Sequence, residues 1–587
     1  MKHSSFVRML ILSCLSSQLF GFFGRTQIIP RSETVNAARE IAGWQEHIND
    51  YDVGRPYWSF YLAPEYKRSF HKQQLVDFLL GGDDCFAVQG SRALGRDSRA
   101  LLADYFGLPA DFKSTIRFSP QITSFIFDMN MYIGLDGCAE GWYVRIHAPV
   151  VHTKWDLNLK ECVDMVGTAT HPAGYMAATQ VPRQDLASSF KEAITGTFCN
   201  GCKQLKPLVF GDMQCPLAYG RILGRRNASR LSDVHFMVGY NFINDEDYHF
   251  GFNTRISAPA GTQPDARYFF QPIVGNGHHW EVGGGVTSHC IFWSSADELD
   301  FFGLWLDATI THMFADTQVR SYDFCGNPGS RYILLSEIVP IEDADVQVNG
   351  MPIEQQYIGK LFPAINKTSL CSKISMKAQV DMVAKIAYQQ KGVQADLGYN
   401  LWYRSPEKLH ARQCFDSCLA LKGDAQVYGF VSQTAGNLTI NDPLKLNATQ
   451  SQATLRKGQG AGNFVAGAEF ANANVDNPAL ADDSNGNPLL QLNQNDAAWL
   501  MIAQQQISTS NPPILLTNCD IDEQSALNPR ALSHKMFGNV SYTWEDIDEQ
   551  YAPFLGGGFE VEWRCNCFND NSAISQWGLW AKGGLSY

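Results

Sequence analysis

Between residues 373 and 403 the chain alternates. Ile374, Met376, Ala378, Val380, Met382, Ala384, Ile386 and Tyr388 are apolar, and Lys373, Lys377, Asp381 and Lys385 fall between them. Gln390, Lys391 and Gly392 turn the chain, and Val393, Ala395, Leu397, Tyr399, Leu401 and Tyr403 return. A strand sends successive side chains to opposite faces, so the apolar residues of the first run share one face. A period of 3.6 residues scatters them. The pattern demands a long antiparallel hairpin with one greasy side. Runs of roughly 10–15 residues exceed the average soluble strand of about 5–6 and are long enough to cross a bilayer at a tilt.

The same rhythm recurs along the chain. Phe125, Phe127, Met129, Met131, Ile133 and Leu135 alternate with Asp128 and Asn130; Trp142, Val144, Ile146 and Ala148 return, opposite Tyr143, Arg145 and His147. Pro149 cannot donate to a ladder and predicts a bulge or a strand edge. Further pairs are Val234 to Phe242 with Tyr248 to Ile256, Trp280 to Phe292 with Phe302 to Phe314, and Leu532 to Trp544 with Tyr551 to Trp563. Trp58, Phe60 and Leu62 suggest a first strand over 57–70. About twelve strands are expected, within a range of 10–14, an even count being usual for single-chain bacterial barrels.

The last twelve residues complete the series. Trp577, Leu579, Ala581, Gly583, Leu585 and Tyr587 are apolar, aromatic or small, with Gln576, Lys582 and Ser586 opposite. This stretch resembles the C-terminal strand of bacterial outer-membrane β-barrel (porin-like) proteins, which ends in an aromatic residue and serves as the assembly signal. The resemblance implies an all-β fold, a closed antiparallel transmembrane β-barrel with long loops and a few short helices. It also implies an outer-membrane location in a Gram-negative-type bacterium, contact with membrane lipids and with the barrel assembly machinery, and an assembly signal in Trp577, Leu579, Leu585 and Tyr587. Composition agrees: charged residues are 18% against about 25% in ordinary soluble domains, and aromatics are 12%. A net charge of -13 argues against nucleic acid as a partner.

Lys2 and Arg8 precede an apolar run from Met9 to Phe23, the layout of a secretory signal, assigned to residues 1–24. A lipoprotein site at Cys14 is set aside because the run continues past it. Residues 25–112 form an N-terminal, plug-like helical segment with the first strand, and 113–587 the barrel, with loop insertions at 161–228, 323–372 and 405–530. Within the first segment, 32–49 reads as a helix, because Val35, Ala38, Ile41 and Trp44 recur at three-residue steps. A surface helix is preferred over a plug. A second helix is expected over 98–106 and another near 186–195. Fifteen cysteines in an exported chain suggest disulfides, and Cys199 with Cys202 reads as a loop disulfide rather than a metal or redox pair.

Function then rests on the inward faces. Asp128, Arg145, Arg255, Asp307, Lys373, Lys377, Asp381, Lys385, Arg404, Glu560 and Glu562 are the pore-lining candidates. With both signs present they suit a weakly selective or plugged pore for small solutes, or equally ion pairs that brace a packed barrel. The expectation is a porin-like channel, without catalytic residues, metal or other cofactor, and with self-association left open. The rivals are a surface or adhesin-type barrel whose loops bind a partner, an outer-membrane hydrolase, and a soluble secreted β protein. No Gly-x-Ser-x-Gly is present, and Gly283, Gly284 and Gly285 lie in mid-strand, where they more simply bend or open the wall.

Overall fold

The structure, a computed structural model, describes residues 24–587 except 51–53, 200–204, 296–299, 341–346, 349–350, 353–354, 424–426, 545–550, 569 and most of 431–514. The expected signal sequence, Cys14, Cys202 and most of the 405–530 insertion lie outside the described residues. Among those described, twelve strands form one antiparallel barrel: β1 Tyr57–Ser69, β2 Gln121–Gly134, β3 Trp142–His147, β4 Val234–Asn244, β5 Tyr248–Ala258, β6 Glu281–Ser294, β7 Phe301–Ser321, β8 Ser369–Gln390, β9 Val393–Arg404, β10 Ala531–Thr543, β11 Ala552–Arg564 and β12 Gln576–Ser586. Each pairs with the next. β1 closes the ring by pairing with β2 on one edge, Leu62 opposite Met129, and with β12 on the other, Glu65 opposite Trp580. Trp58 and Tyr587 exchange backbone hydrogen bonds of 3.0 and 2.8 Å at the seam.

The two faces of this wall differ as the alternation requires. Ile310 is 56% exposed on the outside and Val540 58%, whereas Glu560 and Lys535, at inward parity, are 0% exposed. An exposed apolar belt on a closed sheet is a lipid-facing surface, because only a sheet without edges satisfies its backbone groups in hydrocarbon. Aromatic residues mark its two borders. At one rim Trp58 and Tyr551 flank Tyr587, and Trp142 lies against Tyr240. At the other, Tyr66 meets Trp577, and Trp280 and Phe314 are exposed.

The connections separate by rim. Strands turn tightly at the first rim, for instance through Lys391 and Gly392, and every long connection leaves from the second. In such barrels the short turns face the periplasm and the long loops the exterior. Here the long connections pack into a lobe with its own core, including Leu79, Val88, Phe112, Ile333 and Leu361. One small sheet joins 101–102, 85–89, 113–117 and 160–165, and another joins 355–363, 334–340 and 419–421.

Several expectations change. The segment 32–49 is not one helix: α1 spans only Ala37–Ile41, followed by a 3-10 turn Gln45–His47. Nor is it on the surface, since Ala38, Arg39 and Trp44 are 0% exposed. The helix expected over 98–106 is a short strand and a 3-10 turn Ala103–Phe106. Helix α2, Lys72–Leu80, was not expected; α3, Phe190–Thr195, was, and Ser189 caps it. The break at Pro149 is found, and the strand resumes at Val150–Asp156. Beyond it Val151 and Trp155 point inward, because above the lipid belt the greasy environment is the lobe's core. Of the cysteines, Cys565 and Cys567 form the one disulfide among the described residues; Cys414 and Cys418 are thiols, and the expected partner of Cys199, Cys202, lies outside the described residues.

His171 supplies a pH handle on the lobe. It is 0% exposed, and its Nε2 donates to the Leu108 carbonyl at 2.8 Å. Burial holds its pKa below the ordinary 6.5, so the folded lobe keeps it neutral. An unfolded histidine takes up a proton below about pH 6.5, so lobe stability falls there by up to about 1.4 kcal/mol per pH unit. Protease digestion of the detergent-solubilised protein should therefore accelerate from pH 7.5 to 5.5, and less so in His171→Gln.

Candidate functional site

The barrel is filled by its own N-terminal segment. Residues 24–50 enter at the lobe, where Gly24 and Arg25 donate backbone hydrogen bonds to Leu79 and Phe78. They run down the lumen and leave at the short-turn rim, where the Asp50 amide donates to the Tyr57 hydroxyl at 2.9 Å. The chain then reverses into β1. We refer to this segment as the thread.

Helix α1 is gripped at both ends. Asn36 caps it and also touches the wall, its Nδ2 donating to Glu560 at 3.0 Å and its Oδ1 accepting from Lys535 at 2.8 Å. The Ala37 amide donates to Asp381 at 3.0 Å. At the other end Lys582 donates to the carbonyls of Arg39, Glu40 and Ala42, and Lys385 to that of Ile41 at 2.9 Å. These are the last carbonyls of a helix, which lack partners inside it. Gly43, at φ +60°, ends the turn and gives its amide to Asp396 at 2.6 Å. A Cβ there would lie 2.5 Å from the Asn539 side chain.

Ion pairs tie the rest. Arg31 reaches Asp381 at 2.8 Å and Glu562 at 3.2 Å. Arg39 bridges Glu65 and Asp128, the latter at 2.8 Å. Glu40 meets Arg145 at 2.8 Å, with Arg255 at 3.9 Å. Glu560 also takes Lys67 at 2.9 Å and Lys535 at 2.8 Å. Every one of these groups is nearly or fully buried, so each charge is stable only because its partner is in place.

Of the eleven candidate lining residues, Asp128, Arg145, Asp381, Lys385, Glu560 and Glu562 touch the thread or its partners directly. Arg404 holds the Ile29 and Pro30 carbonyls at 3.0 and 3.3 Å. Arg255 and Asp307 border a small void beside the thread. Lys373 and Lys377 do not belong to this group. Both are exposed, because the register against β7 shifts between Met376 and Gln379 and reverses the faces; Ile374 and Met376 turn inward instead. On β12, Leu579 is 54% exposed and Trp577, Leu585 and Tyr587 are partly so, all on the lipid side. The candidate set omits Glu65, Lys67, Lys535 and Lys582, although they stand at the same inward parity that selects Glu560. It also omits Arg31, Arg39 and Glu40, whose signal is opposite charge in the segment preceding a charged inner wall.

The grip is one-sided. The latching groups come mostly from β8 to β12, β1 and β2. On the β3 to β7 side the void, about 30 Å³ and lined by Glu40, Arg145, Asn253, Arg255, Thr287 and Asp307, has room for a water or two. Nearby on that wall both ring nitrogens of His235, Nε of Arg255 and Oγ of Ser257 are buried without a protein hydrogen-bond partner. At the lobe end a larger cavity of about 380 Å³ lies beside Arg25, Asp77, Asp522, Arg564 and Asp570. Among the described residues no group of three or more His, Cys, Asp and Glu is placed to hold a metal.

No protein-family model matches this sequence, and no curated protein does. Among solved structures it is similar to an outer-membrane channel from Pseudomonas putida F1, at 6% identity, 90% of this chain, 95% of that chain and a TM-score of 0.31. It is also similar to a Pseudomonas aeruginosa FadL homologue, at 6% identity, 96% and 99% coverage and a TM-score of 0.27. The outer-membrane protease OmpT of Escherichia coli follows at 6% identity, 91% and 95% coverage and a TM-score of 0.16. Likenesses this weak carry no functional argument.

Replacing Arg39 by Ala strips the guanidinium from two buried carboxylates, leaving Glu65 with Lys67 at 3.7 Å and Asp128 with His147, and should cost about 3 kcal/mol. Urea unfolding of the refolded protein in detergent measures it. Arg39→Lys should cost less but not nothing, since an ammonium cannot fork to both carboxylates.

Proposed function

We propose that this chain is a gated outer-membrane channel for small polar solutes, shut in the conformation described above, and that the thread is its gate. The single observation that carries this reading is the asymmetry of the packed lumen. One wall holds the thread through matched charges. The opposite wall, β3 to β7, holds it at fewer points, chiefly Arg145 against Glu40, carries the unpartnered groups of His235, Arg255 and Ser257, and leaves the void beside the thread. Buried polar groups without protein partners favour water, so this seam is the strip along which the lumen hydrates first. Solute would pass from the cavity at the lobe, along the seam beside Arg145, Arg255 and Asp307, to the short-turn rim. The mixed charges of this strip favour neutral or zwitterionic polar molecules over a strongly selected ion.

Charge latches suit a gate better than an apolar plug. When the thread shifts, both partners can be rehydrated, and the cost of separation falls as water enters. A second reading, in which the lobe binds a partner at the cell surface, is supported by the lobe's own hydrophobic core, which gives it a fixed shape. The two readings are compatible.

Planar-bilayer conductance tests the gate. Lys582→Gln should raise the open population, roughly tenfold for each 1.4 kcal/mol of closing free energy lost. The Thr34 and Ser232 hydroxyl oxygens are 3.1 Å apart, one on the thread and one just before β4. A T34C/S232C pair, oxidised, should silence openings that reduction restores. If neither variant alters conductance, and the chain lacking residues 24–50 is also silent, the channel reading is overturned.

A further inference from the structure

The register shift that moves Lys373 and Lys377 to the outside leaves them in specific company. Lys377 stands at the upper border of the lipid belt. His312 of β7 donates from Nδ1 to the Lys377 carbonyl at 2.9 Å, and Phe314, two residues further on, is 48% exposed. Lys373 lies four residues on, opposite Thr317, which places it about 13 Å further along the strand. The short strand Glu407–Arg412 flanks β8 here, with Lys408 opposite Ser375. His410 accepts or donates to the Ser375 hydroxyl at 2.7 Å and is exposed, as is Lys408.

Lys373, Lys377 and Lys408 form no ion pair among the described residues. The carboxylates on the neighbouring strands are engaged elsewhere: Glu407 is buried against Arg320 at 3.0 Å, and Asp316 contacts His278 and Gln263 at 3.3 Å. In a chain of net charge -13 this is an unneutralised cationic island. Directly below it the wall is greasy, with Ile310 and Met382 exposed. Cations above an apolar surface, at the height where acyl chains give way to headgroups, match one kind of ligand: a lipid whose head is anionic. Lysine stems reach along the wall and deliver the ammonium to that level.

We propose that Lys373, Lys377 and Lys408 form a binding site for the phosphorylated headgroup of an outer-leaflet lipid, whose chains lie against Ile310, Phe314 and Met382. An acidic protein or a free phosphate ion would have no use for the apolar half. The site is independent of the lumen, so it stands or falls apart from the gate.

The test uses the full chain in phosphatidylcholine nanodiscs doped with diphosphorylated lipid A, transferred to a neutral detergent, with retained lipid A measured. The wild type should retain it, and K373Q/K377Q/K408Q should retain at least about fivefold less. R117Q/K160Q/K206Q, which removes three exposed lobe cations, should behave as wild type. Dephosphorylated lipid A should not be retained. The proposal is overturned if the first variant retains as much as wild type, if the second loses as much as the first, or if excess inorganic phosphate displaces the lipid. Unchanged heat-modifiable mobility of all three proteins on a gel confirms that each barrel is folded.

Discussion

In hydrocarbon an amide has no solvent to bond with, and the whole architecture follows from that. A sheet survives there only by meeting itself, so Tyr57–Ser69 must pair both with its neighbour in sequence and with a strand more than five hundred residues away. Once the ring is closed, its outside is set by lipid and its inside is free to carry charge. Glu560 and Lys535, a few ångströms from an apolar belt, are tolerable because the wall between them and the lipid is complete.

What fills the inside is a balance of charges rather than a greasy core. Arg31, Arg39 and Glu40 each bring one charge into a place where an unpaired ion is very costly, and each finds its opposite on the wall. Such pairs add little net stability over apolar packing, but they specify position sharply: a shift of one residue along the lumen misplaces all of them together. The thread is therefore held in one register, and any departure from it exchanges many partners for water at once.

Period two made the barrel readable from the amino-acid string, since lipid on one side and polar groups on the other imprint β9 and the part of β8 from Gln379 onward. Its failures are instructive. Nothing around Met376, Lys377 and Ala378 announces the register shift: there is no glycine or proline, and the cause is the pairing with β7 and the 407–412 strand. Val35, Ala38, Ile41 and Trp44 are all buried, but against three different parts of the wall rather than as one stripe, and the helix is cut to Ala37–Ile41 by Lys582, Lys385 and Asp396, hundreds of residues distant. The lobe was hidden for the same reason. Its core assembles from connections that lack periodicity individually, so local pattern could not separate them from loops.

The path of the thread also constrains how the molecule is made. It is joined to β1 at the short-turn rim and anchored among lobe residues at the opposite end, so it occupies the axis of a ring that only Gln576–Ser586 can complete. Drawing a segment with buried arginines lengthwise through a finished cylinder would strip each charge of water repeatedly along the way. Wrapping the growing wall around a segment already lying in place exposes no such intermediate. The zipper between the first and last strands is thus also the moment of encapsulation, and a barrel sealed without its thread would be a kinetically trapped, empty product rather than a precursor.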